Sequence, residues 1–156
     1  MATGNLSMHE LTAGYEAGEF DTVIVAFTDM QGRLIGKRVS ARLFIDDIAA
    51  HGADCCNYLL AVDVENNTVG GYAISSWERG YGDMVMKVDE SSLRRLPWLP
   101  GTAMVTADLT WLDGTPVAQS PRAILRAQLD RLAQRGMSAF VGTELEFIVF
   151  DDTYRE

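Results

Sequence analysis

The order of apolar and polar residues along the chain predicts a strand-rich first part and a helix–strand pair at the end. Ser7-Met8-His9-Glu10 forms a capping box, with Met8, Leu11 and Tyr15 at helical spacing and Gly18 as a stop. A short helix over about 8–17 follows. Thr22 to Asp29 (TVIVAFTD) is rich in β-branched and aromatic residues and reads as a strand. Asp29-Met30-Gln31-Gly32 has turn chemistry, and Leu34 to Val39 makes the returning strand. Phe44 to Ala50 reads as a short helix ended by His51-Gly52, and Asn57 to Val64 as another strand. Asn66-Asn67 and Gly70-Gly71 mark a loop. Asp83 to Asp89 is a short strand. From Ala103 to Trp111 the alternation is clean, with Ala103, Val105, Ala107, Leu109 and Trp111 on one face and Thr106, Asp108 and Thr110 on the other. Ser120-Pro121 opens a helix carrying Ile124, Leu125, Gln128, Leu129 and Leu132 on one face, closed by Gly136. Ala139 to Phe150 reads as a last strand.

The length, 156 residues, suits one domain with a real core. The stretch 112–120 (LDGTPVAQS) is the one boundary-like segment. About forty residues beyond it cannot bury a core alone, so they extend the first domain or begin a second. With 13 Lys+Arg against 22 Asp+Glu, the net charge of −9 disfavours a nucleic-acid partner. No apolar run reaches the ~20 residues that span a bilayer, so no membrane partner is expected. The N-terminus, MATGNLSMHE, has no basic leader before an apolar segment. Two adjacent cysteines, Cys55 and Cys56, point to opposite faces of a strand and do not staple a fold. A reduced, cytoplasmic protein is the expectation.

The last strand carries the candidate chemistry. In Gly142-Thr143-Glu144-Leu145-Glu146-Phe147-Ile148-Val149-Phe150, Glu144 and Glu146 share a face, their Cα atoms ~7 Å apart. The strand is otherwise apolar on both faces, which predicts cover on both sides. Buried carboxylates cost several kcal/mol each unless compensated. Three resolutions exist: one is protonated, arginines pair with them, or divalent cations such as Mg2+ or Mn2+ sit between them. A glycoside-hydrolase pair fits on separation alone. An edge strand with two solvated glutamates is the structural alternative.

The same residues resemble the Glu-x-Glu-Phe-x-x-Phe strand that opens the catalytic domain of glutamine synthetases. Three other segments agree in order. Asp21 to Val39 (DTVIVAFTDMQGRLIGKRV) resembles the first hairpin of that family's β-grasp domain. Gly82 to Asp89 (GDMVMKVD) resembles its Asp-Met-x-Leu-x-Pro-Asp strand, with Val88 in place of proline. Asp113-Gly114, Ser120-Pro121-Arg122 and Leu125 resemble the entry to the first catalytic helix.

The resemblance implies an α+β fold: an N-terminal helix over 1–17, a β-grasp domain over 18–115, and the first helix and strand of a catalytic domain over 116–156. It implies an ATP-dependent ligase in which an amine attacks γ-glutamyl phosphate, with Mg2+ or Mn2+ as cofactors and ATP as co-substrate. Glu144 would help hold the metal near the ATP phosphates. Glu146 would hold the metal near glutamate and the γ-phosphoryl group. No other catalytic residue and no nucleotide-binding residue is assigned in this chain. The partners implied are glutamate, an amine, and further copies of the subunit in a ring whose active sites lie between neighbours. The chain then reads as the N-terminal portion of a longer enzyme, inactive alone.

Ammonia-using members carry an Asp-Gly-Ser-Ser-Ile-x-Gly-Trp loop whose aspartate helps bind ammonium. The corresponding stretch, Asn66 to Arg79, has Trp77 in the tryptophan's place but no such aspartate. That points to a larger amine, as in the γ-glutamyl-polyamine and γ-glutamyl-ethanolamide branch. Tyr72, Trp77 and Arg79 are candidates for an inter-subunit lid. His9 and His51 read as surface or capping residues. Cys55 and Cys56 read as packing residues, Met84 and Met86 as core, Lys37-Arg38 and Arg94-Arg95 as solvated basic spots, and Trp98 as a loop anchor against the core. The competing function is a non-catalytic β-grasp module that binds a partner through a sheet edge.

Overall fold

A computed structural model describes residues 5–75 and 80–153. Helix α1 (Met8–Glu16) begins as expected: the Ser7 hydroxyl accepts from the Glu10 amide, and the Glu10 carboxylate accepts from the Ser7 amide at 2.7 Å. Strands β1 (Thr22–Thr28) and β2 (Leu34–Ser40) form an antiparallel hairpin. A helical segment follows over 41–51: α2 (Ala41–Leu43), a π-helical turn (Phe44–Ile48) and α3 (Ala49–His51). The wider turn places Phe44 and Ile48 in the core. Strand β3 (Ala53–Cys56) precedes a 3₁₀ turn at Asn57–Leu60. Strands β4 (Asp83–Val88), β5 (Arg94–Arg95) and β6 (Thr102–Thr110) complete the sheet, and α4 (Pro121–Ala133) follows.

The sheet order is β2-β1-β6-β4-β3, with β5 also paired to β6. Strands β1 and β6 run parallel at the centre, and every other pair is antiparallel. The alternation of β6 holds: Ala103, Val105, Ala107 and Leu109 are buried, while Thr106, Asp108 and Thr110 are half-buried. The buried set packs with Val23, Val25, Phe27, Met84 and Met86 against Leu11, Ala41, Phe44 and Ile48. Each buried Val, Leu, Ile, Phe or Met side chain among them contributes ~1.5–3 kcal/mol relative to exposure. A smaller cluster, Ala26, Leu96 and Met104 with Ile24 and Leu99, forms separately from this core. Gly36 lies so near β1 that a Cβ would sit 1.9 Å from the Val25 carbonyl oxygen.

Three sequence expectations change. The strand expected over Asn57 to Val64 is displaced: pairing with β4 begins at Ala53 and ends at Cys56, and the chain then turns. Just past that end, the buried Asn57 side chain bonds loop backbone, donating to the Ile74 carbonyl and accepting from the Gly82 amide. Trp98 is 76% exposed and anchors nothing in the core, since Leu96 takes the inward position of that loop. Arg95 is not simply solvated, because its guanidinium stacks 4.4 Å from the Phe20 ring centroid and pairs with Glu19 at 2.9 Å. Arg94 is half-buried beside Met104. Among the described residues, no helix is long and apolar enough to cross a membrane.

Candidate functional site

Helix α4 leads toward the predicted metal ligands, so its seating comes first. Pro121 opens it, and Ser120 takes the N-cap position without a side-chain cap bond. No residue of α4 is fully buried. Charge holds it instead. Arg122 donates from Nε to Asp108 at 2.7 Å and from Nη2 to Asp89. Arg126 reaches Asp89 at 2.9 Å and Asp108 at 3.2 Å. Two arginines one helical turn apart thus bracket two aspartates, one on the outward face of β6 and one just after β4. The Ser91 hydroxyl, followed by the Arg122 and Arg126 charges, holds the Asp89 carboxyl below the usual carboxylate range despite partial burial. Sequence reading missed this network, although Arg122 and Arg126 at i,i+4 were its visible signal.

Beyond α4 the expected strand is absent. Residues 139–150 have no strand partner among the described residues, and their side chains lie open, with Phe140 at 96% and Phe147 at 81% exposure. The expectation of cover on both sides is therefore corrected. A strand exists only where a neighbour satisfies its backbone, and no strand of the sheet runs beside this segment. Glu144 and Glu146 are exposed on it, solvated rather than buried. Oxygen ligands suit Mg2+ or Mn2+, but two carboxylates fall short of the six or so such ions take. Among the described residues no three His, Cys, Asp or Glu side chains gather as a metal site would require.

The loop singled out for a lid is better built. Tyr72 is exposed at 46%, while Trp77 and Arg79 lie outside the described residues. Residues 61–69 fold back on themselves through Val69 N to Ala61 O at 2.9 Å and Asp63 N to Asn67 O at 2.9 Å. His9 is exposed on α1, and His51 is exposed and bonded to Asp47 at 2.8 Å. Cys55 is buried and Cys56 half-buried, both free, on opposite sides of β3. Burial pushes the Cys55 thiol up to about 12.

A profile of the glutamine synthetase catalytic domain matches residues 118–156. The γ-glutamylethanolamide synthetase GlnA4 of Streptomyces coelicolor is 62% identical over 152 residues, covering 97% of this chain and 33% of that protein. The chain belongs to the glutamine synthetase family. A glutamate–isopropylamine ligase of a Pseudomonas species is 33% identical over 138 residues, covering 88% of this chain and 30% of that protein. A structure of GmaS with ADP superposes with a TM-score of 0.61 at 26% identity, over 80% of this chain and 25% of that one. The chain thus spans about a third of the length of the curated relatives it matches.

Proposed function

We propose that these residues are part of an ATP-dependent ligase joining glutamate's γ-carboxylate to an amine larger than ammonia, with ethanolamine the first candidate. The observation that carries this reading is the 62% identity to a γ-glutamylethanolamide synthetase across nearly the whole chain. The glutamate–isopropylamine ligase adds weight to an organic amine. So does the loop Asn66 to Arg79, which lacks the aspartate an ammonium site would use.

In this reading residues 18–115 are a β-grasp domain and 116–156 open the catalytic domain. The central parallel pair β1 and β6, each with an antiparallel neighbour, supports the first assignment. The profile match from residue 118 supports the second. Glu144 and Glu146 are two of the oxygen ligands for Mg2+ or Mn2+, the others lying elsewhere in the longer protein. The metal, when bound, neutralises charge on the transferring phosphoryl group. Tyr72, Trp77 and Arg79 lie on the loop that reaches a neighbouring subunit of a cytoplasmic ring.

The test is phosphate release by the full-length protein with ATP, glutamate, Mn2+ and one amine at a time. Ethanolamine or a polyamine is expected to be preferred over ammonium, and preference for ammonium overturns the reading. Glu144→Gln or Glu146→Gln is expected to lower the rate by on the order of a hundredfold.

A further inference from the structure

Polar side chains of the sheet unit grip the loop after the Asn57–Leu60 turn at its two ends. At the leading end, the Arg33 guanidinium donates to the carbonyls of Val64 at 2.6 Å and Asp63 at 3.1 Å, and to Asn66 Oδ1 at 3.3 Å. These partners lie 30 to 33 residues away in sequence. Asp29, whose side chain is fully buried, accepts from Arg33 Nε at 2.8 Å and from the amides of Gln31 and Arg33. The carboxylate thereby fixes the plane of the guanidinium. Gln31 adds a bond to the Val62 carbonyl at 2.8 Å. At the trailing end, buried Asn57 donates to the Ile74 carbonyl at 2.9 Å and accepts from the Gly82 amide at 3.2 Å.

Such bonds are costly to lose. A buried carboxylate without its guanidinium is an uncompensated charge. Asn66 has φ 66°, the left-handed region, and Arg33 bonds its side chain there. Lysine cannot substitute, because its ammonium lacks the planar fork that reaches three acceptors while facing Asp29.

We propose that Arg33, oriented by Asp29, and Asn57 are positioning residues that set the placement of the loop over residues 62–75 and so determine amine selection. This rests on the reading that the loop takes part in the amine site; the anchoring itself does not. Neither residue is proposed to touch substrate.

The experiment uses the full-length protein with Arg33→Lys and, at the other end, Asn57→Asp. Hydrogen exchange reads the anchoring. The amides of Asp63, Asn66, Asn67 and Val69 should exchange at least about tenfold faster in Arg33→Lys, while those of β1 and β6 stay unchanged. Steady-state kinetics reads the role. KM for ethanolamine should rise about tenfold in either variant, with KM for ATP and glutamate within about twofold. Unchanged exchange at 63–69 overturns the anchoring. Faster exchange with all three KM values unchanged, or raised together, overturns the role in amine selection. A parent protein that turns over no organic amine defeats the ligase reading and the selection role with it, while the exchange data still decide the anchoring.

Discussion

At the scale of single residues, chemistry here is decided by surroundings more than by residue type. Cys55 and Cys56 are neighbours in sequence, yet strand geometry sends one into the core and leaves the other half-buried on the opposite face. Burial raises the Cys55 thiol to about 12, so almost none of it is thiolate at pH 8. Iodoacetamide at pH 8, read by peptide mass spectrometry, is expected to label Cys56 and leave Cys55 unmodified until the protein unfolds. The sign for stability follows. Folding favours the protonated thiol, so its contribution is complete below the unfolded value near ~8.5 and is lost as pH rises toward 12. Equal labelling of both cysteines in the folded protein would contradict this. The adjacency was legible in the sequence, and so was the projection of the two side chains to opposite faces. Which cysteine faces inward was not, because that depends on register with β4, where Cys55 stands opposite Met84.

At the scale of elements, what could be read was whatever local pattern decides. The capping box of α1, the turn before β2 and the alternation of β6 each determine their own outcome. The bonds of Asn57, just past the end of β3 at Cys56, were not local, because their partners lie 17 and 25 positions away. The seating of α4 is likewise non-local, and it rests on charge. In Arg122→Ala, α4 is expected to lose protection in hydrogen exchange by about tenfold or more, with the melting of the sheet barely changed. The same detachment should appear in acid. Asp89 is held below its ordinary value in the folded state, so its contribution is present above the unfolded value near ~3.9 and disappears as pH falls through the depressed one. Tryptic cleavage after Arg126 at neutral pH reports the same event: the variant should be cut faster, and an unchanged rate would contradict the charge-held seating.

At the scale of the whole molecule, the described chain divides into a unit that satisfies itself and a segment that does not. Residues 5–75 and 80–118 close around one large core and one small one. The helix α4 leaves Ile124, Leu125 and Leu129 exposed, and residues 139–150 expose Phe140, Leu145, Phe147 and Phe150. So much exposed apolar surface is unusual for a stable monomer. Glu144 and Glu146 stand out in this stretch because they interrupt an apolar run. Their surroundings were not, since a strand's neighbours are set by whatever pairs with it. A backbone with unpaired N–H groups gains from any strand placed beside it. If the rest of a catalytic domain supplies those strands, two outcomes follow together. The 156 residues alone should show no ATP- and glutamate-dependent phosphate release, and their amides over 139–150 should exchange within about an order of magnitude of unfolded rates. In the full-length protein the same amides should be protected by at least about a thousandfold, because a central strand opens only with its domain. Protection of 139–150 in the isolated chain would mean that the segment finds its partner within residues 1–156 or in a second copy. A concentration series of the same exchange experiment separates those two cases, since only pairing between copies weakens on dilution.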